Sequence, residues 1–227
     1  MTRFSTTSPL RGARISRALA LLVAVMALGA LAGCGGGGGG GTTAQEQGVP
    51  KGQVARDESK YSGGEASPPQ PAPALRLKDS LGNPVDLTQF KGKAVLLTFI
   101  YTHCPDVCPL IVSHLKTAQA ELGGKAKDMQ IVAVSTDPRG DTPKTVAAFL
   151  KEHGMTGKMV YLIGSRAELG KVWKDWNIVA NPAKSGRDLV EHSALIYGIA
   201  ANGDVTTLYP ANFDPAQIVH DVPLLEE

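Results

Sequence analysis

The feature that most limits how this chain can fold is the apolar run Ala94-Val95-Leu96-Leu97-Thr98-Phe99-Ile100-Tyr101, followed directly by Thr102-His103-Cys104-Pro105-Asp106-Val107-Cys108-Pro109. Eight residues without polar alternation predict a strand buried on both faces. Beyond the cysteines, Ile111, Leu115, Ala118 and Leu122 recur at spacings of four, three and four, which predicts a helix stopped by Gly123-Gly124. The two thiols therefore lie between a central strand and the start of a helix.

The pattern then repeats. Ile131 to Ser135 reads as a second buried strand, and Thr142 as N-cap with Pro143 in the first turn opens a helix that Gly154 ends. Met159 to Ile163 is a third strand, and Ser165-Arg166-Ala167-Glu168 is a capping box for a helix through Trp173 and Trp176. The spacing of the tryptophans suits packing on one helix face. His192 to Ala200 and Val205 to Tyr209 flank Asn202-Gly203, a hairpin pair, and Asp214-Pro215 starts a last helix. Shorter strand-like pieces, Ala74 to Lys78 and Val85 to Leu87, come before the first buried strand. Strands alternating with helices and closing on a hairpin predict an α/β domain with a mixed central sheet and helices on both faces. A thioredoxin-like fold has this order.

The first 33 residues hold Arg3, Arg11, Arg14 and Arg17 with no acid, then an apolar run from Ala18 to Ala32, the layout of a secretory signal. That run is short for a spanning helix, although an uncleaved anchor helix is the alternative reading. Leu31-Ala32-Gly33-Cys34 resembles the lipobox of bacterial lipoprotein precursors, which implies diacylation of Cys34 and stable attachment to a membrane. Either reading puts the domain outside the cytoplasm, in the cell envelope of a bacterium and facing the periplasm or the exterior. Residues 34–73, with seven consecutive glycines and a Pro-rich end, are expected to form a disordered tether, and residues 74–227 one folded domain. Without the four arginines of the signal, the count is 19 basic against 21 acidic residues, and nothing points to nucleic acid.

The chemistry centres on Cys104 and Cys108. Helix N-terminal amides favour negative charge, so at least one thiol is expected to be partly thiolate at neutral pH, hence both a nucleophile and a soft-metal ligand. Four positions apart, the sulfurs can close a disulfide or converge on one ion, and spacing alone does not choose. A third donor would. Val190-Glu191-His192-Ser193 places a histidine at the start of the penultimate strand, and in a thioredoxin-like fold the loop before that strand faces the cysteines. Two thiolates and an imidazole make a soft three-coordinate site suited to Cu(I), and to Cu(II) with one more donor. Zinc ordinarily takes a fourth ligand.

Taken together, Cys104-Pro105-Asp106-Val107-Cys108-Pro109, Asp137-Pro138 followed by Asp141-Thr142-Pro143, and Glu191-His192-Ser193 before an apolar strand resemble the SCO1/SenC family. The resemblance spans nearly the whole domain. It implies a copper-binding metallochaperone that serves assembly of the binuclear copper centre of cytochrome c oxidase. It also implies Cys104, Cys108 and His192 as the metal ligands and the oxidase's copper-accepting subunit as the partner. One position departs from the family pattern: an arginine usually stands directly before the Asp-Thr-Pro, where this chain has Gly140 preceded by Arg139.

Competing readings are a structural disulfide and a thiol-disulfide oxidoreductase in which Cys104 and Cys108 reduce the oxidase's copper-ligating cysteines. A copper or oxidant sensor is a third. Chaperoning itself needs no chemical turnover, so the chain need not be an enzyme. A peroxiredoxin is disfavoured, because Tyr101 and Pro105 stand where that family carries Thr or Ser, three positions before its cysteine. His103 is expected to be an exposed neighbour, and His114, His153 and His220 to be solvated. Asp137 is either a turn former or a group supporting the site.

Overall fold

The computed structural model describes residues 59–181, 191–192 and 194–227, all within one compact unit, Gly52–Glu227. The signal segment, Cys34 and the first part of the expected tether lie outside the described residues. In chain order the strands and helices are Gly64–Pro71 (β1), Arg76–Asp79 (β2), Pro84–Asp86 (β3), Ala94–Ile100 (β4), Val107–Leu122 (α1), Met129–Ser135 (β5) and Pro143–Glu152 (α2). They continue with Met159–Ile163 (β6), Arg166–Asp175 (α3), Ala180–Asn181 (β7), Glu191–His192 (β8), Leu195–Ile199 (β9), Asp204–Pro210 (β10) and Pro215–Leu225 (α4).

Among the described residues, eight strands form one mixed sheet in the order β1-β10-β9-β4-β5-β6-β2-β3. The three strand runs seen in the sequence, β4, β5 and β6, are its parallel centre, and β9 joins β4 antiparallel. Every residue of β4 is buried, and its side chains alternate between two cores as the pleat requires. Ala94, Leu96 and Ile100 pack with Ile111 and Leu115 of α1, Phe149 of α2 and Ile218 of α4. Val95, Leu97 and Phe99 pack with Leu169, Val172 and Trp173 of α3 on the other face. Full burial of each large side chain contributes about 2 kcal/mol, which explains why apolarity on both faces fixes this strand at the centre. The fold is thioredoxin-like, with helices on both faces.

The local stop and start signals act as expected. Gly123 caps α1 with φ 54. Thr142, Ser165 and Asp214 cap α2, α3 and α4 with reciprocal side-chain bonds to Thr145, Glu168 and Gln217.

Two expectations are corrected. The folded domain begins before Ala74: Gly64–Pro71, assigned above to the disordered tether, is an edge strand on β10. Its side chains are almost all exposed, so it carries no apolar signature. An edge strand needs hydrogen bonds on one side only, which lets Pro68 and Pro69 sit where the register shifts between Glu65 and Gln70. The second correction concerns the penultimate strand. Glu191–His192 is a separate short strand paired with β7, Ala180 opposite His192, and the strand of the main sheet starts only at Leu195.

A buried carboxylate fastens the start of the domain. Asp221 is fully buried on α4 and accepts from Ser62 N at 2.7 Å, Gly63 N at 2.8 Å, Tyr209 Oη at 2.9 Å and His220 Nδ1 at 2.7 Å.

Candidate metal centre

The parallel strands end at one edge of the sheet, and the loop from Tyr101 to Asp106 leaves β4 there to enter α1. Asp106 stands at the N-cap of α1 but makes no side-chain cap bond. The vacancy at the helix terminus is filled by sulfur: the amide of Cys108 donates to Cys104 Sγ at 3.3 Å. Cys104 thus performs the capping that Asp106 does not, and the first-turn amides and helix dipole stabilise its thiolate.

Cys104 is partly accessible, whereas Cys108 is fully buried in the core beneath it, and no disulfide joins them. The Cys108 thiol hydrogen-bonds to Cys104, and with the amides of Asp106 and Cys108 and the Tyr101 side chain it lowers the Cys104 thiol to about 5, against the opposing effect of burial. Cys108 moves the other way, pushed up by donating to Cys104 and by burial. The pair is therefore asymmetric, an accessible thiolate backed by a buried thiol.

Behind the loop lies Asp141, 5% exposed. One carboxylate oxygen accepts from Thr102 N at 2.9 Å and Thr102 Oγ1 at 2.8 Å, the other from Ser135 Oγ at 2.6 Å and Tyr161 Oη at 2.9 Å. Burial raises its carboxyl above the usual range, and the hydrogen bonds oppose that rise. Sequence reasoning quoted Asp141 in a motif without giving it a role, and it did not single out Ser135 or Tyr161. No local signal marks them, because their meeting depends on strand order.

Asp137 builds the turn after β5. Its carboxylate accepts from Arg139 N at 3.1 Å and its carbonyl from Asp141 N at 2.9 Å. Gly140 lies so close that a Cβ there would collide with Asp137 Oδ2 and come within 3.0 Å of His103 Nδ1. His103 is exposed, as expected, and its Nδ1 lies 3.1 Å from Thr102 Oγ1. His114 is only partly solvated: its ring lies 5.3 Å from that of Phe213, edge-on, with Nδ1 buried. His153 packs on Phe149 at 4.5 Å, and His220 is half-exposed beside Asp221.

The structure brings Cys104 and Cys108 together. For His192 it describes the backbone, on β8. Leu195, three residues later, accepts from Thr98 Oγ1 at 3.1 Å, so this segment joins the sheet near the strand end from which the cysteine loop leaves. Among the described residues no group of three or more His, Cys, Asp or Glu side chains is arranged to hold a metal ion, and the pair of sulfurs is the soft-donor feature. A soft ion with low coordination number fits two thiol sulfurs better than a hard cation does.

Comparison with known proteins returns one family: the model of the SCO1/SenC family matches residues 65–225. The human mitochondrial SCO1 homolog is 27% identical over 160 residues, covering 64% of this chain and 52% of the human protein. The chain thus spans about half the length of that relative. The solution structure of the apo Sco1 protein from Thermus thermophilus superposes with a TM-score of 0.64 at 29% identity, covering 73% of this chain and 96% of that one. Copper-bound ScoI from Bradyrhizobium japonicum gives 0.61 at 30% identity, covering 69% and 99%.

Proposed function

The chain belongs to the SCO1/SenC family, and from that premise we propose that it is a copper carrier for the assembly of a terminal cytochrome c oxidase. Copper is its cargo, held by the sulfurs of Cys104 and Cys108 and by His192, and handed by ligand exchange to the copper-accepting subunit of the oxidase. The observation that carries this reading is the thiol pair: an accessible Cys104 thiolate on a helix terminus with Cys108 directly behind it, in the family's own motif. Cu(I) prefers such soft, few-coordinate surroundings. Lipidation at Cys34 would hold the protein to a membrane of the bacterial envelope, with its domain outside the cytoplasm.

The same asymmetry favours one second reading. A low thiol outside a buried partner is the arrangement of a dithiol reductant. The Cys104 thiolate attacks one sulfur of a target disulfide, the other sulfur leaves as a thiolate, and a mixed disulfide forms. Cys108 then gives up its proton and attacks Cys104, releasing the second target thiol and leaving a Cys104–Cys108 disulfide, two electrons having passed to the target. Cytochrome oxidase cysteines that must be reduced before they take copper are the fitting substrate.

Titration of the reduced protein with Cu(I) against a competing chelator, alongside Cys104→Ser, Cys108→Ser and His192→Ala, tests the first reading. Stoichiometric binding weakened in all three variants supports it. Absence of binding, with disulfide-reducing activity retained, would move the assignment to the reductant.

A further inference from the structure

We propose that Asp141 is the positioning residue of the thiol loop: by taking both the amide and the hydroxyl of Thr102, its carboxylate sets where Cys104 lies over the first turn of α1. The inference concerns the sulfur that works under either reading above, and it needs no metal.

A buried carboxylate costs several kcal/mol unless its oxygens are filled. No ion pair reaches Asp141 among the described residues, and four donors do the filling instead. Those donors come from three neighbouring parallel strands: Thr102 follows β4, Ser135 closes β5 and Tyr161 reaches in from the middle of β6. Asp141 itself precedes Thr142, the N-cap of α2. One side chain therefore ties three strands together behind the cysteine loop.

Downstream of Thr102 the loop backbone makes one long bond, Cys104 N to Tyr101 O at 3.4 Å, and the Cys104 sulfur takes the amides of Asp106 and Cys108. The Cys108 amide sits at 3.3 Å from Cys104 Sγ, an ordinary distance for a sulfur acceptor, and a shift of the loop by an ångström would separate them. Thr102, two residues before Cys104 and held twice by Asp141, is the point that prevents such a shift.

The role is one of hydrogen-bond geometry, which separates two substitutions. Asp141→Asn keeps an acceptor for Thr102, while its amide can donate to Ser135 and Tyr161, whose hydroxyls also accept. Asp141→Ala removes the acceptor and leaves the half-buried Thr102 amide without it.

The test is hydrogen exchange at the Cys108 amide, whose acceptor is Cys104 Sγ, followed by nuclear magnetic resonance on protein whose near-ultraviolet circular dichroism shows it folded. Asp141→Ala is expected to speed exchange there about tenfold relative to amides in the middle of α1, the equivalent of one lost buried hydrogen bond, and Asp141→Asn to keep it within about threefold of the parent. A purely structural role would lower the melting temperature and speed exchange throughout α1 alike. Parental exchange at Cys108 in folded Asp141→Ala overturns the proposal, and so does exchange in Asp141→Asn as fast as in the alanine variant. Thr102→Val, which removes one of the two bonds to Asp141, gives a reading that does not depend on the alanine variant folding. It is expected to speed exchange at Cys108 about threefold, and an unchanged rate counts against the proposal. Failure of the copper titration would leave this result untouched.

Discussion

The amide of Cys108 points at the sulfur of Cys104 from 3.3 Å, so that one metal-ligand candidate caps the helix that carries the other. Two sulfurs four positions apart thereby acquire opposite characters, because one receives hydrogen bonds at the helix terminus and the other gives one from the core.

Alkylation should separate them. With its thiol lowered to about 5, Cys104 is expected to react with iodoacetamide at pH 6, while buried Cys108 stays unmodified in the folded protein. Equal labelling of both at that pH, read by mass spectrometry, would contradict the asymmetry. The linked stability has a definite sign. The folded state holds the Cys104 thiol below its ordinary value of 9.0, so its contribution is fully present above pH 9.0 and is lost as pH falls toward about 5. Cys108, raised instead, subtracts stability only as pH climbs above 9.0. Urea unfolding of the reduced protein between pH 5 and 9 measures the balance, relative to a Cys104→Ser variant.

His192→Ala should divide metal from redox chemistry. We expect Cu(I) affinity to fall by about tenfold or more while oxidation of the dithiol in a glutathione buffer proceeds as in the parent. Unchanged copper affinity would remove His192 from the ligand set.

Gly140→Ala should destabilise the protein by about 1–3 kcal/mol, because the added methyl would occupy the space of the Asp137 carboxylate and crowd His103. Thermal denaturation measures this. The clash also shows why the departure from the family pattern matters: in this backbone the position directly before Asp141 has no room for a side chain unless Asp137 moves. Parental stability in the variant would mean that the Asp137 carboxylate turns away at little cost.

Asp221→Ala should cost about 3 kcal/mol, since it leaves the Ser62 and Gly63 amides and the buried Tyr209 hydroxyl without their acceptor. Hydrogen exchange at Ser62 and Gly63 should rise with it. If exchange there stays slow, the first strand is held by its ladder on β10 rather than by this carboxylate.

Much of the architecture was legible because its signals are local. The apolar run of β4, the stripe of α1 and the caps at Thr142, Ser165 and Asp214 depend on residues within four positions of one another, and each reappears in the structure. The edge strand β1 was not legible, because exposed polar and proline residues carry no periodic burial signal and only the partner strand makes them a strand. The break between His192 and Leu195 was hidden for the opposite reason: the whole segment reads as suited to a strand, and pairing with Ala180 divides it.

The sequence alone determined that two thiols stand at the junction of a central strand and a helix, since adjacent stretches of chain dictate that junction whatever the rest of the molecule does. Tertiary structure decided what kind of thiols they are. Burial of Cys108 against the sheet, and the seating of Thr102 and Tyr161 on Asp141, join residues tens of positions apart. Electrostatics and hydrogen bonding at a site follow distance in space, and that distance exists only once the strands have taken their order.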